Sequence, residues 1–183
     1  PSGSTLLYSI GMGPQSGLGI VNADGTNAHD LLAGTGKMML GMDQPGFSAD
    51  GATVSFLGTD SIVYFIAADG HNLRPALPDV VDGVSSKTAF STAWSPGHQS
   101  LALLLGRVIV VVDTQSHVVA SAHLPFQGFP VGVSFDASGK FLYYMGMIDP
   151  AHAIDLYAIA TDGSGNRPLT TDGSVSQPPA VAP

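Results

Sequence analysis

Six histidines, fourteen aspartates and a few glycine-rich stretches are the residues through which this chain could do chemistry. The stretch Gly13-Pro14-Gln15-Ser16-Gly17 comes nearest to a nucleophile elbow. Its serine stands fourth instead of third, so the spacing does not place Oγ at the tip of a strand-to-helix turn. Gly34-Thr35-Gly36-Lys37 ends as a phosphate-binding loop does, but Met38 occupies the place of the Mg²⁺-binding hydroxyl and Leu31 that of the leading glycine. His29, His71, His98, His117, His123 and His152 show none of the paired spacings of a zinc helix or finger, and they read as loop and turn residues.

The aspartates suggest two other chemistries. Asn22-Ala23-Asp24-Gly25-Thr26-Asn27 is rich in oxygen ligands of the kind calcium takes. A glycosidase pair would have to come from carboxylates such as Asp30, Asp43, Asp60, Asp79, Asp149 and Asp155, and nothing in their spacing singles out two of them. Against both stands position: Asp24, Asp50, Asp69, Asp82, Asp162 and Asp172 each directly precede glycine, which marks turns. The expectation is therefore no catalytic residue, no cofactor-binding residue and no metal ligand.

Composition narrows the classes further. All fourteen acidic residues are Asp, basic residues number six, and the net charge is −8, so clustered cations for nucleic acid or an anionic membrane surface are missing. With no Cys, disulfides and thiolate chemistry are excluded together. The longest apolar runs, around Val108 to Val112, have strand length and fall far short of the roughly 18 residues of a membrane helix. Lacking Glu and poor in Lys and Arg, with 23 Gly and 13 Pro, the chain has little from which to make exposed helix faces. The few lysines, the many small polar residues and the Pro-rich end suit an extracellular, cell-surface or periplasmic protein. The chain opens on Pro1, not Met, which points to processing or trimming upstream.

What must position any site is an internal repeat. Gly3, Gly51, His98 and Gly139 fall in one column, and Tyr8, Phe56, Leu103 and Tyr144 in another five residues on. A third column holds Asp24-Gly25, Asp69-Gly70 and Asp162-Gly163, with Gln115-Ser116 as a copy that has lost the Asp-Gly pair. A period of roughly forty-odd residues points to the blades of a propeller, each of four short strands. The second strands read as residues 53–57, 101–105 and 141–145, and the third, β-branched and aromatic, as 62–67, 108–112 and 153–159. Short first strands read as 46–48, 93–95 and 132–135, joined to the second by Asp50-Gly51 or Ser138-Gly139 turns with positive φ. A polar fourth strand, such as 73–77, reads as the edge facing water. Recurrent aromatics (Phe47, Trp94, Phe135, Tyr8, Phe56, Tyr144) read as blade-to-blade packing. Met38, Met39 and Met42, in the first inter-blade connection, read as gap-filling under a long loop.

PGFSADGATVSF, TAWSPGHQSLAL, VSFDASGKFLYY, GIVNADGTNAHDLL and DLYAIATDGSGNRPLT together resemble the TolB-type, WD-like β-propeller repeat over nearly the whole chain. The resemblance implies a toroid of four-stranded blades around a channel, used for protein or peptide contact, and found also as the lid of prolyl oligopeptidase-like enzymes. Rings of this type usually carry six or more blades, and this chain supplies four.

The expected fold is all-β, a single propeller domain over residues 1–183. Its blades approximate residues 1–34 plus 178–183, 43–79, 90–126 and 130–173. The first blade is split between the chain ends, with PPAVAP at 178–183 as its inner strand. The expected role is a non-catalytic structural or protein-interaction module, whose partner is another protein or copies of itself in a homo-oligomer or filament. No nucleic acid partner and no membrane insertion are expected. The alternatives are a ligand-binding or enzymatic propeller with its site at the channel mouth, and the propeller lid of a larger hydrolase.

Overall fold

A computed structural model describes residues 3–11, 16–32, 45–97, 100–124, 130–146, 154–175 and 177. Short β-rich segments separated by glycine turns form four antiparallel sheets, each built from strands consecutive in the chain. Blade 1 contains β1 (Thr5–Ile10), β2 (Gly17–Asn22) and β3 (His29–Leu32). Blade 2 contains β4 (Gly46–Phe47), β5 (Thr53–Leu57), β6 (Val63–Ala67) and β7 (Arg74–Pro75). A small hairpin follows, β8 (Val80–Val81) with β9 (Val84–Ser85), and then one 3-10 turn, Ser86–Thr88. Blade 3 contains β10 (Ala89–Trp94), β11 (Ser100–Leu105), β12 (Val108–Asp113) and β13 (Val118–His123). Blade 4 contains β14 (Val131–Phe135), β15 (Phe141–Gly146), β16 (Asp155–Ala160) and β17 (Arg167–Pro168).

The second and third strands fall within about two residues of the sequence reading. The fourth strand does not: β7 and β17 are two residues long, where 73–77 was expected. Both end on proline, Pro75 and Pro168, which has no N–H to extend a ladder. The fourth strand of blade 3 has no proline and runs for six residues. The inter-blade segment after Leu77 also holds structure that the repeat pattern did not foretell, the β8–β9 hairpin.

The turns are where expected, and their glycines have the expected positive φ. Between third and fourth strands, the amides of Gly25, Gly70 and Gly163 donate to the carbonyls of Asn22, Ala67 and Ala160, each glycine has positive φ, and Asn27, Asn72 and Gly165, two residues on, are left-handed again. Each is a type I turn followed by one left-handed residue, not a turn with two positive φ angles. Gly51 and Gly139 play the same part between first and second strands, at φ 72° and 71°. In blade 3 the turn survives without its Asp-Gly pair. Ser116 takes the left-handed place at φ 71°, and Asp113 Oδ1 accepts from the amides of Gln115 and His117 at 2.9 and 2.8 Å. Asp82-Gly83 alone adopts two positive φ values, 52° and 77°, as a two-residue hairpin requires.

Ser61 is another left-handed residue, at φ 60°, closing a turn in which its amide donates to Gly58 O at 3.0 Å. Relief of the Cβ strain makes Ser61→Gly an expected stabilisation of about 0.5–1 kcal/mol, net of the entropy glycine adds to the unfolded chain. A urea midpoint that rises with unchanged slope would show it; a falling midpoint would mean the serine side chain contributes more than its backbone costs.

Three apolar clusters hold successive blades together. Leu18, Ile20, Leu31 and Leu32 of blade 1 meet Val54, Phe56, Tyr64 and Ile66 of blade 2. Leu57, Val63 and Phe65 of blade 2 meet Leu101, Leu103, Val108, Val110 and Val112 of blade 3. Ala102, Leu104, Ile109 and Val111 of blade 3 meet Leu142, Tyr144, Tyr157 and Ile159 of blade 4. The pattern follows from strand alternation: along β5, Val54 and Phe56 point back to the preceding blade, Ser55 and Leu57 forward to the next. The inner strands β10 and β14 lie against one another, and Val133 N donates to Ser91 Oγ at 3.1 Å across them.

Candidate interaction surfaces

The charged groups are used mostly by the turns that carry them. Asp24 Oδ1 accepts from the amide and hydroxyl of Thr26, at 2.9 and 2.6 Å, and the hydroxyl bond holds its carboxyl below the usual range. Asp162 makes the same pair of bonds with Ser164 and is lowered for the same reason. Burial alone would raise Asp136, but bonds from the Ser138 hydroxyl and the amides of Phe141, Ser138 and Lys140 outweigh it and lower its pKa. Asp60 accepts from the Tyr64 hydroxyl at 2.6 Å; burial first, then this carboxylate, push Tyr64 up to about 12. His29 Nδ1 lies 2.8 Å from Asn27 O, and His117 Nδ1 lies 3.0 Å from Asp113 Oδ2. Among the described residues no three His, Cys, Asp or Glu side chains gather as a metal site would require. Gly34-Thr35-Gly36-Lys37, Met38, Met39, Met42, Asp43, His98, Asp149, His152 and the expected closing strand at 178–183 lie outside the described residues.

The hairpin β8–β9 is tied to the outer strand of blade 3. His123 Nε2 lies 2.6 Å from Asp82 Oδ2, and the Ser121 hydroxyl donates to the same oxygen at 3.1 Å. These are the residue types of a hydrolytic triad in the wrong order: the carboxylate stands between serine and imidazole, so the imidazole is not placed to take the serine's proton. The cluster is a brace between two elements. Trp94 is also structural. Its Nε1 donates to Ser55 Oγ at 2.9 Å, its ring stacks on Phe65 at 5.8 Å, and it lies so close to Gly46 that a Cβ there would stand 2.9 Å from Cδ1.

The exception among the recurrent aromatics is Tyr8. In the column that faces the preceding blade, Val54, Leu101 and Leu142 are each 0% exposed, whereas Leu6 is 53% exposed. In the next column Phe56, Leu103 and Tyr144 are at most 2% exposed and Tyr8 is 38%. The core reading of Tyr8 is therefore corrected: blade 1 has no blade before it among the described residues. Its ring sits against Gly19, where a Cβ would clash with the ring carbons Cζ and Cε2. At the other end of the array, blade 4 turns Phe141, Tyr143 and Leu156 away from blade 3, and Phe141 is 41% exposed. Among the described residues blade 1 has three strands where the other blades have four, and β1 pairs there with β2 alone.

Comparison with solved structures bears on what this array is. TolB from Acinetobacter baumannii superposes at a TM-score of 0.61 with 14% identity, over 91% of this chain and 41% of that one. The Nidogen/Laminin complex contains a chain matching at 0.60 and 14%, over 92% and 62%. This is a TolB-like β-propeller fold. The same propeller similarity extends to one of two prolyl endopeptidases analysed for inter-domain dynamics, at 0.60 and 15%, over 92% of this chain and 28% of that one. This chain thus spans less than two thirds of each of these propeller-containing chains. No protein-family model matches the sequence, and no curated protein matches it. No helix among the described residues is long and apolar enough to cross a membrane.

Proposed function

We propose that residues 1–183 form one propeller domain serving as a non-catalytic structural or protein-interaction module outside the cytoplasm, which associates with copies of itself by strand complementation. The observation that carries this reading is that, among the described residues, β1 edges a three-stranded blade beside four-stranded ones. An unpaired edge presents N–H and C=O groups that a further strand satisfies. Residues 178–183 are the complement, supplied within a chain or exchanged between chains. The propeller of the Nidogen/Laminin complex belongs to a protein assembly, which supports a protein partner. The scarcity of Lys, the many small polar residues and the Pro-rich end support a location outside the cytoplasm.

The test is the mass in solution over a range of concentrations, for the parent and for a chain lacking residues 176–183. Concentration-dependent association of the parent is expected, together with a lower melting temperature and earlier aggregation of the shortened chain. A shortened chain that melts and elutes like the parent removes strand complementation. Similarity to a prolyl endopeptidase chain supports a second reading, the propeller domain of a larger hydrolase, to which a strictly monomeric parent would point.

A further inference from the structure

The blade interfaces all obey one rule. Each joins the forward-facing columns of one blade to the backward-facing columns of the next through a cluster of buried apolar side chains. The described array ends with one half of such an interface at either side. The backward face of blade 1 carries Leu6, Tyr8 and Val21, in the columns of Val54, Phe56 and Ile66. The forward face of blade 4 carries exposed Phe141 and half-buried Tyr143 and Leu156, with Met145 and Ala158 buried beside them. No hydrophobic cluster of the described residues joins these two blades within the chain, and Leu6 and Phe141 are among its most exposed large apolar residues.

We propose that the Leu6–Tyr8 face of blade 1 seats the Phe141–Tyr143 face of blade 4 from a second copy, making an intermolecular interface of the same kind as the three inside the chain. The proposal rests on the self-association reading above but uses a sheet face instead of the β1 edge. The occupant is set by continuity with the existing interfaces: a backward face in this array packs against a forward face, and blade 4 presents the one that no described blade covers, exposed at Phe141. Gly19 contributes by leaving the space beside its backbone that the Tyr8 ring occupies. The contact is heterologous, so two copies close a ring if the rotation allows and otherwise extend as a filament.

The experiment uses the full chain and two variants, Leu6→Lys and Phe141→Asp, with mass followed by sedimentation. Both sites are exposed, so folding should be retained, as judged by circular dichroism and melting temperature; Tyr8→Ser replaces Leu6→Lys if that chain does not fold. Each variant alone is expected to dissociate at least about tenfold more readily than the parent, as loss of a central apolar contact does. A 1:1 mixture should recover a two-copy species, because one joint then pairs an intact blade 1 with an intact blade 4. Variants that associate as the parent does would overturn the proposal and leave edge complementation standing. Dissociation without recovery on mixing would overturn the head-to-tail pairing. A parent that stays monomeric at every concentration would overturn self-association itself, and this proposal with it.

Discussion

Phe65→Ala is expected to lower stability by about 3–5 kcal/mol, enough to unfold a large fraction of a marginally stable domain. Phe65 is fully buried at the centre of the cluster that joins blades 2 and 3, where truncation leaves a cavity. Its ring meets Trp94 at 5.8 Å on one interface and lies 5.6 Å beneath the Arg74 guanidinium. Arg74 in turn donates to Thr114 O in blade 3, so the ring, the cation and the neighbouring blade form one connected contact. Trp94 is the single tryptophan and reports on the interface directly. A red shift and weakening of its emission, with a fall in the urea midpoint, is the expected result. Phe65→Leu, which nearly keeps volume and apolarity, should recover most of the loss. If alanine changes the midpoint by less than about 1 kcal/mol, the blade 2–blade 3 contact is not what holds the array together.

The repeat columns made most of this legible before any coordinates. Val54, Phe56, Leu101, Leu103, Leu142 and Tyr144 share a column pattern because each must cover the blade before it, and all six are buried. The same logic misplaced Tyr8. A column records the slot a residue was shaped for, and whether a neighbouring blade fills that slot depends on position in the array. Turn location was also legible, since glycine and aspartate mark it, but turn type was not. Asp-Gly suits a two-residue turn at Asp82-Gly83 and a longer one at Asp69-Gly70, and the flanking hydrogen-bond register decides between them. Blade 3 kept its turn through Asp113, two residues before Gln115, outside the column where the motif was sought.

The hairpin β8–β9 was hidden for a different reason. It belongs to no column, and its anchor, Asp82 to His123 and Ser121, joins residues about forty apart that no local pattern connects. What sets the candidate surfaces, an edge and two outer faces that no other described blade covers, is likewise a property of place in the array and not of any residue type. Chemistry-bearing residues were easy to find and turned out to be occupied: Asp24, Asp60, Asp136 and Asp162 all accept hydrogen bonds from their own loops.

Asp155→Ala is expected to cost about 2–3 kcal/mol and to release the chain that follows blade 4. Asp155 is buried, and its Oδ1 accepts from the Thr170 hydroxyl and the Gly173 amide, both at 2.9 Å. Thr170 Oγ1 meanwhile accepts from Leu156 N at 3.0 Å, so one carboxylate fixes the hydroxyl that completes the β16 backbone. Alanine would leave both donors without their acceptor, and the isolated bridge between Ile154 and Ser174 would lose its support. Asp155→Asn keeps an acceptor oxygen in place and should cost markedly less, which separates hydrogen bonding from charge. Hydrogen exchange at Leu156, Gly173 and Val175 reads the effect locally, and rapid exchange there with blades 1 to 3 still protected is the expected pattern. Because residues 176–183 continue from this segment, its release should also weaken association through the β1 edge. Unchanged protection at Gly173 would mean that the segment is held by contacts other than Asp155.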